Sequence, residues 1–403
     1  MPSFTVRVPR NIITLGGQFV IGTDAVNGHS IDNSQGIIDA NSTTYFIENN
    51  ERSNDTMYVQ DKISVIPKRF FIEPGLKYNV VDTSMSENGN TYYDSIGGTI
   101  TNEYSYLEPS LGISYNLLKN WIVYGSWGKI QAVPSITSYY ELLNHTQTSQ
   151  STIPTTLNTR PEYITDYELG TRYQYNGLKL SVNGYKEDFQ NTFAYYTDNS
   201  FTPPVTNTYN VGSSRYEGVE FAAEYKINRN SGVFGNWSDN TAVYTTSFTG
   251  SATGTSSGTG TSVQILAGEH LSDVPAQLAN LGVYTSLWGT YVRIWGTYTG
   301  EQYVNDQYGQ PTNLYHIGGY TVFNGYLSHN FDLSHIGFLK GAQFKAVKVS
   351  LSVNNILNRD YYPYAVINYN TVTPPNGSKF TYDYESVVPG LPRFFMVSAT
   401  VKF

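Results

Sequence analysis

Cysteine is absent from this 403-residue chain, and charged residues make up only 14% of it. The lack of cysteine excludes a disulfide framework and any metal site built from thiolates. No apolar run in the sequence approaches the roughly 18 residues that a transmembrane helix requires. The formal net charge of −8, with no compensating cluster of Lys and Arg, argues against a nucleic-acid partner.

Tyrosine and glycine are abundant instead, with 36 residues of each. Tyrosine suits the boundary between lipid and water, because its ring is apolar and its hydroxyl group seeks water. Strands that face lipid on one side and water on the other need few charges. The composition therefore favours an all-β membrane protein. A large secreted β-sandwich or β-helix is the alternative with a similar composition.

The end of the chain carries the clearest pattern, since apolar and mostly polar side chains alternate there. The apolar set is Phe395, Val397, Ala399, Val401 and Phe403. A period of two places the two sets on opposite faces of a strand, and about 9–11 residues cross a bilayer when the strand is tilted. A terminal aromatic residue is typical of the closing strand of an outer-membrane barrel. We therefore predict that this stretch is the membrane-inserted closing strand.

About fourteen segments of the chain are predicted as strands. They are 11–22, 55–66, 69–82, 104–118, 120–130, 165–176, 178–196, 208–228, 239–250, 279–289, 290–303, 319–331, 346–358 and 393–403. Short connections, including 229–238 and 332–345, alternate with long ones. The long ones are 23–54, 83–103, 131–164, 251–278 and 359–392. This alternation predicts a membrane-spanning, antiparallel, up-and-down β-barrel wall over residues 1–403, with its long connections extracellular.

Several short motifs in this order resemble one known family of outer-membrane proteins. They are 57–61 (MYVQD), 71–78 (FIEPGLKY), 107–115 (LEPSLGISY), 123–128 (VYGSWG), 161–163 (PEY) with 167–170 (YELG), 210–212 (NVG) with 217–220 (EGVE), 353–362 (VNNILNRDYY) and 389–394 (PGLPRF). Each motif alone is weak, but the ordered set has the spacing of barrel strands. The chain resembles the C-terminal part of the barrel of TonB-dependent receptors, especially the siderophore-receptor branch.

The resemblance implies a barrel of 22 strands that is plugged by an N-terminal globular domain, and a short N-terminal box that engages TonB. The sequence contains neither a plug-like segment nor such a box, so its strands correspond to the last fourteen of the 22. Residues 1–8 (MPSFTVRV) have no basic or apolar segment and do not form a signal peptide. We therefore expect that the chain is part of a longer gene product.

The function implied by the resemblance is TonB-energised uptake of a ferric siderophore across the outer membrane of a Gram-negative bacterium. The implied partners are outer-membrane lipid, the iron chelate and, only through the missing N-terminal region, TonB–ExbB–ExbD. No cofactor and no enzymatic activity are expected. The alternatives are a passive fourteen-stranded channel, closed by pairing 11–22 with 393–403, and a receptor for cobalamin, heme, thiamin or oligosaccharide. A further alternative is a non-functional partial gene product.

Catalytic and metal-binding motifs give little support to other functions. Residues 254–258 (GTSSG) match the G-x-S-x-G pattern, but they lie in a Gly/Ser/Thr-rich repeat and not between a strand and a helix. The six histidines lack the paired spacing of zinc ligands, so we predict no metal site. They are His29, His145, His270, His316, His329 and His335.

Ligand-binding residues are expected in the extracellular connections and the upper lumen, where aromatic rings and hydroxyl groups suit a large, partly apolar chelate. The candidate tyrosines are Tyr139, Tyr140, Tyr195, Tyr196, Tyr303, Tyr308, Tyr315, Tyr361 and Tyr362. Individual tyrosines could instead belong to the outer aromatic girdle. Arg160 and Arg215, and with them Arg293, could face the lumen and attract an anionic chelate. Equally, these arginines could pair with lumen carboxylates such as Glu162, Glu168 or Glu217.

Overall fold

The structure is a computed structural model that describes residues 2–29, 31–32, 37–38, 44–87, 98–134, 160–198, 205–210, 212–252, 261–306, 311–332, 345–372 and 379–402. In these residues, no helix is long and apolar enough to span a membrane. The same residues form 25 strands. In chain order they are β1 (Ser3–Val8), β2 (Asn11–His29), β3 (Ile31–Asp32), β4 (Ile37–Ile38), β5 (Thr44–Ile66), β6 (Phe70–Glu87), β7 (Gly98–Leu118), β8 (Trp121–Ala132), β9 (Glu162–Tyr175), β10 (Leu178–Gln190), β11 (Phe193–Asp198), β12 (Val205–Asn210), β13 (Ser213–Lys226), β14 (Ser231–Tyr244), β15 (Phe248–Ala252), β16 (Thr261–Ile265), β17 (Gln277–Leu287), β18 (Thr290–Thr299), β19 (Gln302–Asp306), β20 (Pro311–Ile317), β21 (Tyr320–Asp332), β22 (Ala346–Asn354), β23 (Tyr364–Val372), β24 (Phe380–Val388) and β25 (Phe394–Lys402).

Fifteen of these strands form one large sheet, which we call the wall. Its order is β1-β2-β5-β6-β7-β8-β9-β10-β13-β14-β17-β18-β21-β22-β25, and each strand pairs antiparallel with the next strand of the sheet. The all-β, antiparallel, up-and-down prediction is confirmed. All fourteen predicted strands are present, and β1 is a fifteenth that the sequence analysis did not predict. It pairs with β2 through residues 3–8 and 11–16.

Several predicted strand limits differ from those of the structure. The predicted connection 229–238 is wrong, because β14 begins at Ser231 and pairs with both β13 and β17. Strands β2 and β5 extend far into the predicted connection 23–54 and pair with each other there. Backbone pairing continues in these segments after the apolar alternation has ended, so a pattern of side chains underestimates strand length.

The register gives the wall one apolar and one polar face. Val182 lies opposite Phe221, and Phe221 lies opposite Trp237. The neighbouring residues along each strand lie on the opposite face and are polar; for example, Asn183 pairs with Glu220. Large apolar side chains on the first face, such as those of Leu169, Leu281 and Val397, are exposed. Exposure of a continuous apolar band on one face is typical of a wall in contact with lipid.

The two edges of the wall are β1 and β25. Closure of a fourteen-stranded channel requires β2 to pair with β25, but β2 pairs with β1 and β5, while β25 pairs with β22. This closing pair, which the passive-channel alternative predicted, is therefore wrong. Among the described residues, no pairing joins β1 to β25.

Smaller sheets lie in the long connections between wall strands. Three are two-stranded: β3–β4, β11–β12 and β15–β16. The fourth, which we call the rim sheet, has the order β20-β19-β23-β24 and combines two connections that are far apart in the sequence. The tight turns β9–β10 and β17–β18 lie at the opposite end of the wall and use positive φ angles at Gly177 and Gly289. The alternation of short and long connections is thus present along the described wall.

Candidate ligand-binding site on the polar face and the rim sheet

The rim sheet has a small hydrophobic core of its own. Val304 of β19, Ile317 of β20, and Ala365 and Ile367 of β23 are buried together, with Tyr315 packed against them. A short parallel pairing of Asn305 with Val366 joins the two connections. The amide of Gln302 also donates to the carbonyl of Pro363 at 2.8 Å. These contacts fix two separate long connections as one unit.

Tyr315 is held by a polar contact on this same sheet. Its hydroxyl group donates a hydrogen bond to the carboxylate of Asp383 on β24. This hydrogen bond raises the pKa of Tyr315 and lowers the pKa of Asp383 below its ordinary value. Of the predicted ligand tyrosines, Tyr315 therefore also has a structural role in joining β20 to β24.

Tyr303 lies between two imidazole rings. His270 stacks on it with a centroid distance of 4.4 Å, and the ring of His316 approaches its edge at 6.3 Å. The backbone N–H of Asp273 donates to the carbonyl of Tyr303 at 2.9 Å, and burial raises the pKa of Asp273. Tyr303 thus joins the connection 266–276 to the rim sheet.

Tyr361 and Tyr362 follow β22 at the base of the rim sheet. Tyr361 packs on Tyr320 at 4.6 Å between ring centroids, whereas Tyr362 is exposed. The turn that positions them depends on Asn355, which is almost fully buried. Its amide donates to the carbonyls of Arg359 and Leu391, and its carbonyl accepts from the N–H of Arg359.

The structure places the other predicted residues differently. Tyr139, Tyr140 and Tyr308 lie outside the described residues, whereas Tyr195 and Tyr196 belong to β11. The backbone N–H of Arg160 donates to Asn210 Oδ1 at 2.7 Å, and the amide of Asn210 donates to the carbonyl of Arg160. The predicted tyrosines that the structure describes are therefore divided between the rim sheet, its base and β11.

Arg215 does not share the polar face. It precedes Glu217 by two residues and Val219 by four, so it lies on the same, apolar face of β13. It also lies at the end of β13 that is near the long connections. Its Nε donates to Asp188 at 2.7 Å, and Lys186 contacts the same carboxylate at 2.9 Å. Arg215 therefore forms its ion pair with Asp188 on the apolar side, whereas both alternatives from the sequence, a chelate contact in the lumen and a lumen carboxylate partner, placed it on the polar face.

Carboxylates on the polar face form a second feature near the long connections. Asp166 lies opposite Glu187 on β10, and Glu168 follows two residues further along β9. Ser126 Oγ donates to Glu168 at 3.3 Å, and the N–H of Phe193 donates to Glu162 at 3.2 Å. Glu162 and Glu168 were expected from the sequence as lumen carboxylates, whereas Asp166 and Glu187 were missed, although alternation within β9 places Asp166 on the same face as Glu168. Among the described residues, no group of His, Asp and Glu side chains is arranged to hold a metal ion.

Comparison with known proteins identifies the fold. Residues 4–356 match the family described as TonB dependent receptor-like, beta-barrel. A curated relative, the ferrichrome outer membrane transporter/phage receptor of Escherichia coli (strain K12), is 27% identical over 197 residues, which are 48% of this chain and 22% of the relative.

Solved structures agree with this fold. The siderophore receptor PiuA of Acinetobacter baumannii aligns with a TM-score of 0.66 at 16% identity, over 98% of this chain and 54% of PiuA. The ferric citrate transporter FecA aligns with a TM-score of 0.65 at 14% identity, over 99% of this chain and 53% of FecA. The copper transporter OprC aligns with a TM-score of 0.63 at 15% identity, over 98% of this chain and 56% of OprC. The chain therefore spans about half the length of these proteins, and it belongs to the TonB-dependent receptor-like β-barrel family.

Proposed function

We propose that the chain is the barrel portion of an outer-membrane receptor that takes up a ferric siderophore by TonB-dependent transport. The apolar face of the wall contacts the lipid of the outer membrane, and the polar face lines the lumen. The long connections, including the rim sheet, then lie on the extracellular side. The observation that carries this proposal is that the wall has one apolar and one polar face. Two such faces provide a surface for lipid and the lining of an aqueous passage.

The ligand class is supported by the chemistry of the rim sheet and by the relatives. The rim sheet and the segments beside it present Tyr315, Tyr362 and the stacked pair His270–Tyr303, and aromatic surfaces suit partly apolar chelates. The names of the curated relative and of two solved structures refer to ferrichrome, siderophore and ferric citrate. The copper transporter among the solved structures has the same fold, so the fold alone does not identify the ligand.

The test is the binding and uptake of ferric chelates by cells that produce the gene product. Binding is measured with radiolabelled iron chelates, and uptake is compared with and without a functional TonB protein. Removal of 131–164 or of 359–392 should weaken chelate binding at least tenfold. Removal of the β15–β16 hairpin, residues 248–265, provides a control, because this connection contains none of the candidate ligand residues. Unchanged binding after both deletions would contradict the proposed site, and uptake that does not require TonB would contradict the proposed mechanism.

A further inference from the structure

A cavity of about 590 Å³ lies on the outward side of the wall, at the end near the long connections. Its lining includes Lys129, Thr165, Asp188 and Arg215, which form one row across β8, β9, β10 and β13. Directly paired residues of neighbouring strands point to the same face of a sheet. Because Arg215 lies on the apolar face, the whole row does so, and the cavity opens away from the polar face.

The rows below this one show how deep the cavity lies. Trp127 and Tyr167 form the next row and also line the cavity, and Leu169, which is 67% exposed, belongs to the row after that. Tryptophan and tyrosine are enriched where hydrocarbon meets water. Thr165 lies four residues beyond Leu169, which is about 13 Å along the strand. The cavity is therefore level with the headgroups of a lipid layer that covers the apolar face.

The cations of the cavity are only partly neutralised. The carboxylate of Asp188 contacts two of them, Arg215 Nε at 2.7 Å and Lys186 Nζ at 2.9 Å. Glu217 lies opposite Lys186 and does not line the cavity. Among the described residues, Lys129 forms no ion pair. The lining thus has two cations and one carboxylate, in a chain whose net charge is −8.

Other strands carry the opposite charge at this end of the wall. Asp82 of β6 pairs with Glu103 of β7, and both line a separate cavity of about 260 Å³. Asp82 follows the exposed Tyr78 by four residues, so this acidic pair also lies on the outward side. The positive charge around Lys129 and Arg215 is therefore not a general property of the outward surface near the long connections.

The spacing of the cations suits one compact anion. Arg215 extends over β10, because its Nε contacts Asp188 there, and two strand spacings, about 10 Å, separate β10 from β8. Lys129 of β8 has a flexible four-carbon stem that reaches into this gap, and Thr165 of β9 lies within it. The bond to Asp188 uses Nε of Arg215, so the terminal N–H groups remain for an acceptor. Phosphate accepts parallel hydrogen bonds from arginine and is also bound by lysine.

We propose that this cavity binds the phosphate group of a lipid of the outer leaflet, and that the acyl chains of this lipid lie along the apolar face below it. The inference rests on the lipid contact in the proposed function and adds a headgroup of defined charge at one position. Arg215 and Lys129 bind the phosphate, and the hydroxyl group of Thr165 donates to it. Trp127 and Tyr167 contact the part of the lipid between headgroup and chains. The continuity of the cavity with the apolar face favours a lipid over free phosphate.

The experiment is native mass spectrometry of the detergent-purified gene product, titrated with dioctanoyl phosphatidic acid. Dioctanoyl phosphatidylcholine has the same chains with a zwitterionic headgroup, and inorganic phosphate, added as a competitor, has the charge without the chains. We expect phosphatidic acid to bind at least about fivefold more tightly than phosphatidylcholine, and an equal concentration of inorganic phosphate to leave it bound.

Two variants test the cations. Lys129→Gln should weaken binding of phosphatidic acid about fivefold and leave binding of phosphatidylcholine unchanged. It removes a cation without breaking an ion pair of the described residues, so folding is not expected to change. Arg215→Gln should weaken binding at least as much, because it removes the parallel hydrogen bonds as well as the charge.

Arg229 provides the matched control, because it is an exposed cation in the short turn between β13 and β14, at the opposite end of the wall. Arg229→Gln should change the affinity for phosphatidic acid less than twofold. Equal binding of the two lipids, or no effect of Lys129→Gln and Arg215→Gln, would overturn the site and leave the lipid contact of the apolar face intact. Displacement by inorganic phosphate would overturn the lipid as the occupant. Binding of neither lipid would count against the lipid contact itself, and so against the proposed function.

Discussion

The wall and the rim sheet are both antiparallel hairpins of one chain, but they place their apolar residues in opposite environments. In the wall, Leu281 is 73% exposed and Val397 is 70% exposed. In the rim sheet, Val304 and Ala365 are fully buried. Burial of apolar surface is the dominant favourable contribution to folding in water. The wall therefore leaves an apolar face exposed, as the proposed lipid contact requires, whereas the rim sheet buries its apolar residues in a core of its own.

A charged side chain introduced on the apolar face of the wall should have the largest effect on stability. Leu351 and Ser350 are neighbours on β22 with opposite directions, since Leu351 pairs with Leu327 and Val397, and Ser350 pairs with Ser398. Leu351→Arg should lower the free energy of unfolding in lipid vesicles by about 2–4 kcal/mol, because the guanidinium group enters the hydrocarbon region. Ser350→Arg places the guanidinium group on the polar face, in water, and should lower the free energy of unfolding by less than about 1 kcal/mol. Urea titration followed by tryptophan fluorescence measures both, and equal losses would contradict the assignment of the faces.

The junction between the wall and the rim sheet should be nearly as sensitive. Asn355→Ala leaves the N–H and C=O of Arg359 and the C=O of Leu391 without their side-chain partner. It also removes an asparagine from a left-handed backbone position, with φ of 50°. The expected loss is about 2–3 kcal/mol. Asn368→Ala, in the rim sheet itself, is the control and should cost less than about 1 kcal/mol. A loss for Asn355→Ala no greater than for this control would show that the amide is not required at the junction.

Alternation of side chains predicted the wall because each wall strand has one apolar and one polar face. Val347, Val349, Leu351 and Val353 alternate with polar residues, and the structure has β22 over 346–354. The first half of β14 was missed, because Gly232 and Gly235 interrupt the pattern there. Arg215 was assigned to the wrong face, although its even spacing from Val219 and Phe221 is visible in the sequence. Fold class was thus predictable, but individual strand limits were less so.

The rim sheet could not be predicted from local patterns. Its central pairing, β19 with β23, joins residues about 60 positions apart in parallel, and nothing in either segment specifies the partner. Alternation of Tyr382 and Tyr384 with charged residues does indicate a strand at β24. The pairing of distant segments depends on tertiary packing around Val304 and Ile367.

A substitution in the core of the rim sheet should have a smaller effect than Leu351→Arg in the wall or Asn355→Ala at the junction. Val304→Ala removes two buried methyl groups, with an expected local loss of about 1.5–2 kcal/mol. Hydrogen exchange measured by mass spectrometry should show faster exchange in β19 and β23 and no change in the wall. Leu314→Ala on β20 is the control, because that side chain is 86% exposed and should have an effect within about 0.5 kcal/mol. Faster exchange throughout the wall would contradict the independence of the rim sheet.

The contact between Tyr315 and Asp383 should give the smallest effect, and it depends on pH. The hydrogen bond from Tyr315 lowers the pKa of Asp383 below its ordinary value of 3.8. A carboxyl group whose pKa is lower in the folded state contributes stability above the pKa of the unfolded state, and this contribution is lost as the pH falls through the folded-state pKa. Tyr315→Phe should therefore raise the pKa of Asp383 towards 3.8, as measured by NMR titration of labelled aspartate. Tyr382→Phe, on the other face of β24, should leave it unchanged. Because Asp383 is exposed and Tyr315 is only partly buried, solvent screens their interaction, and the acid sensitivity should remain confined to the rim sheet while the wall keeps its exchange protection below pH 4.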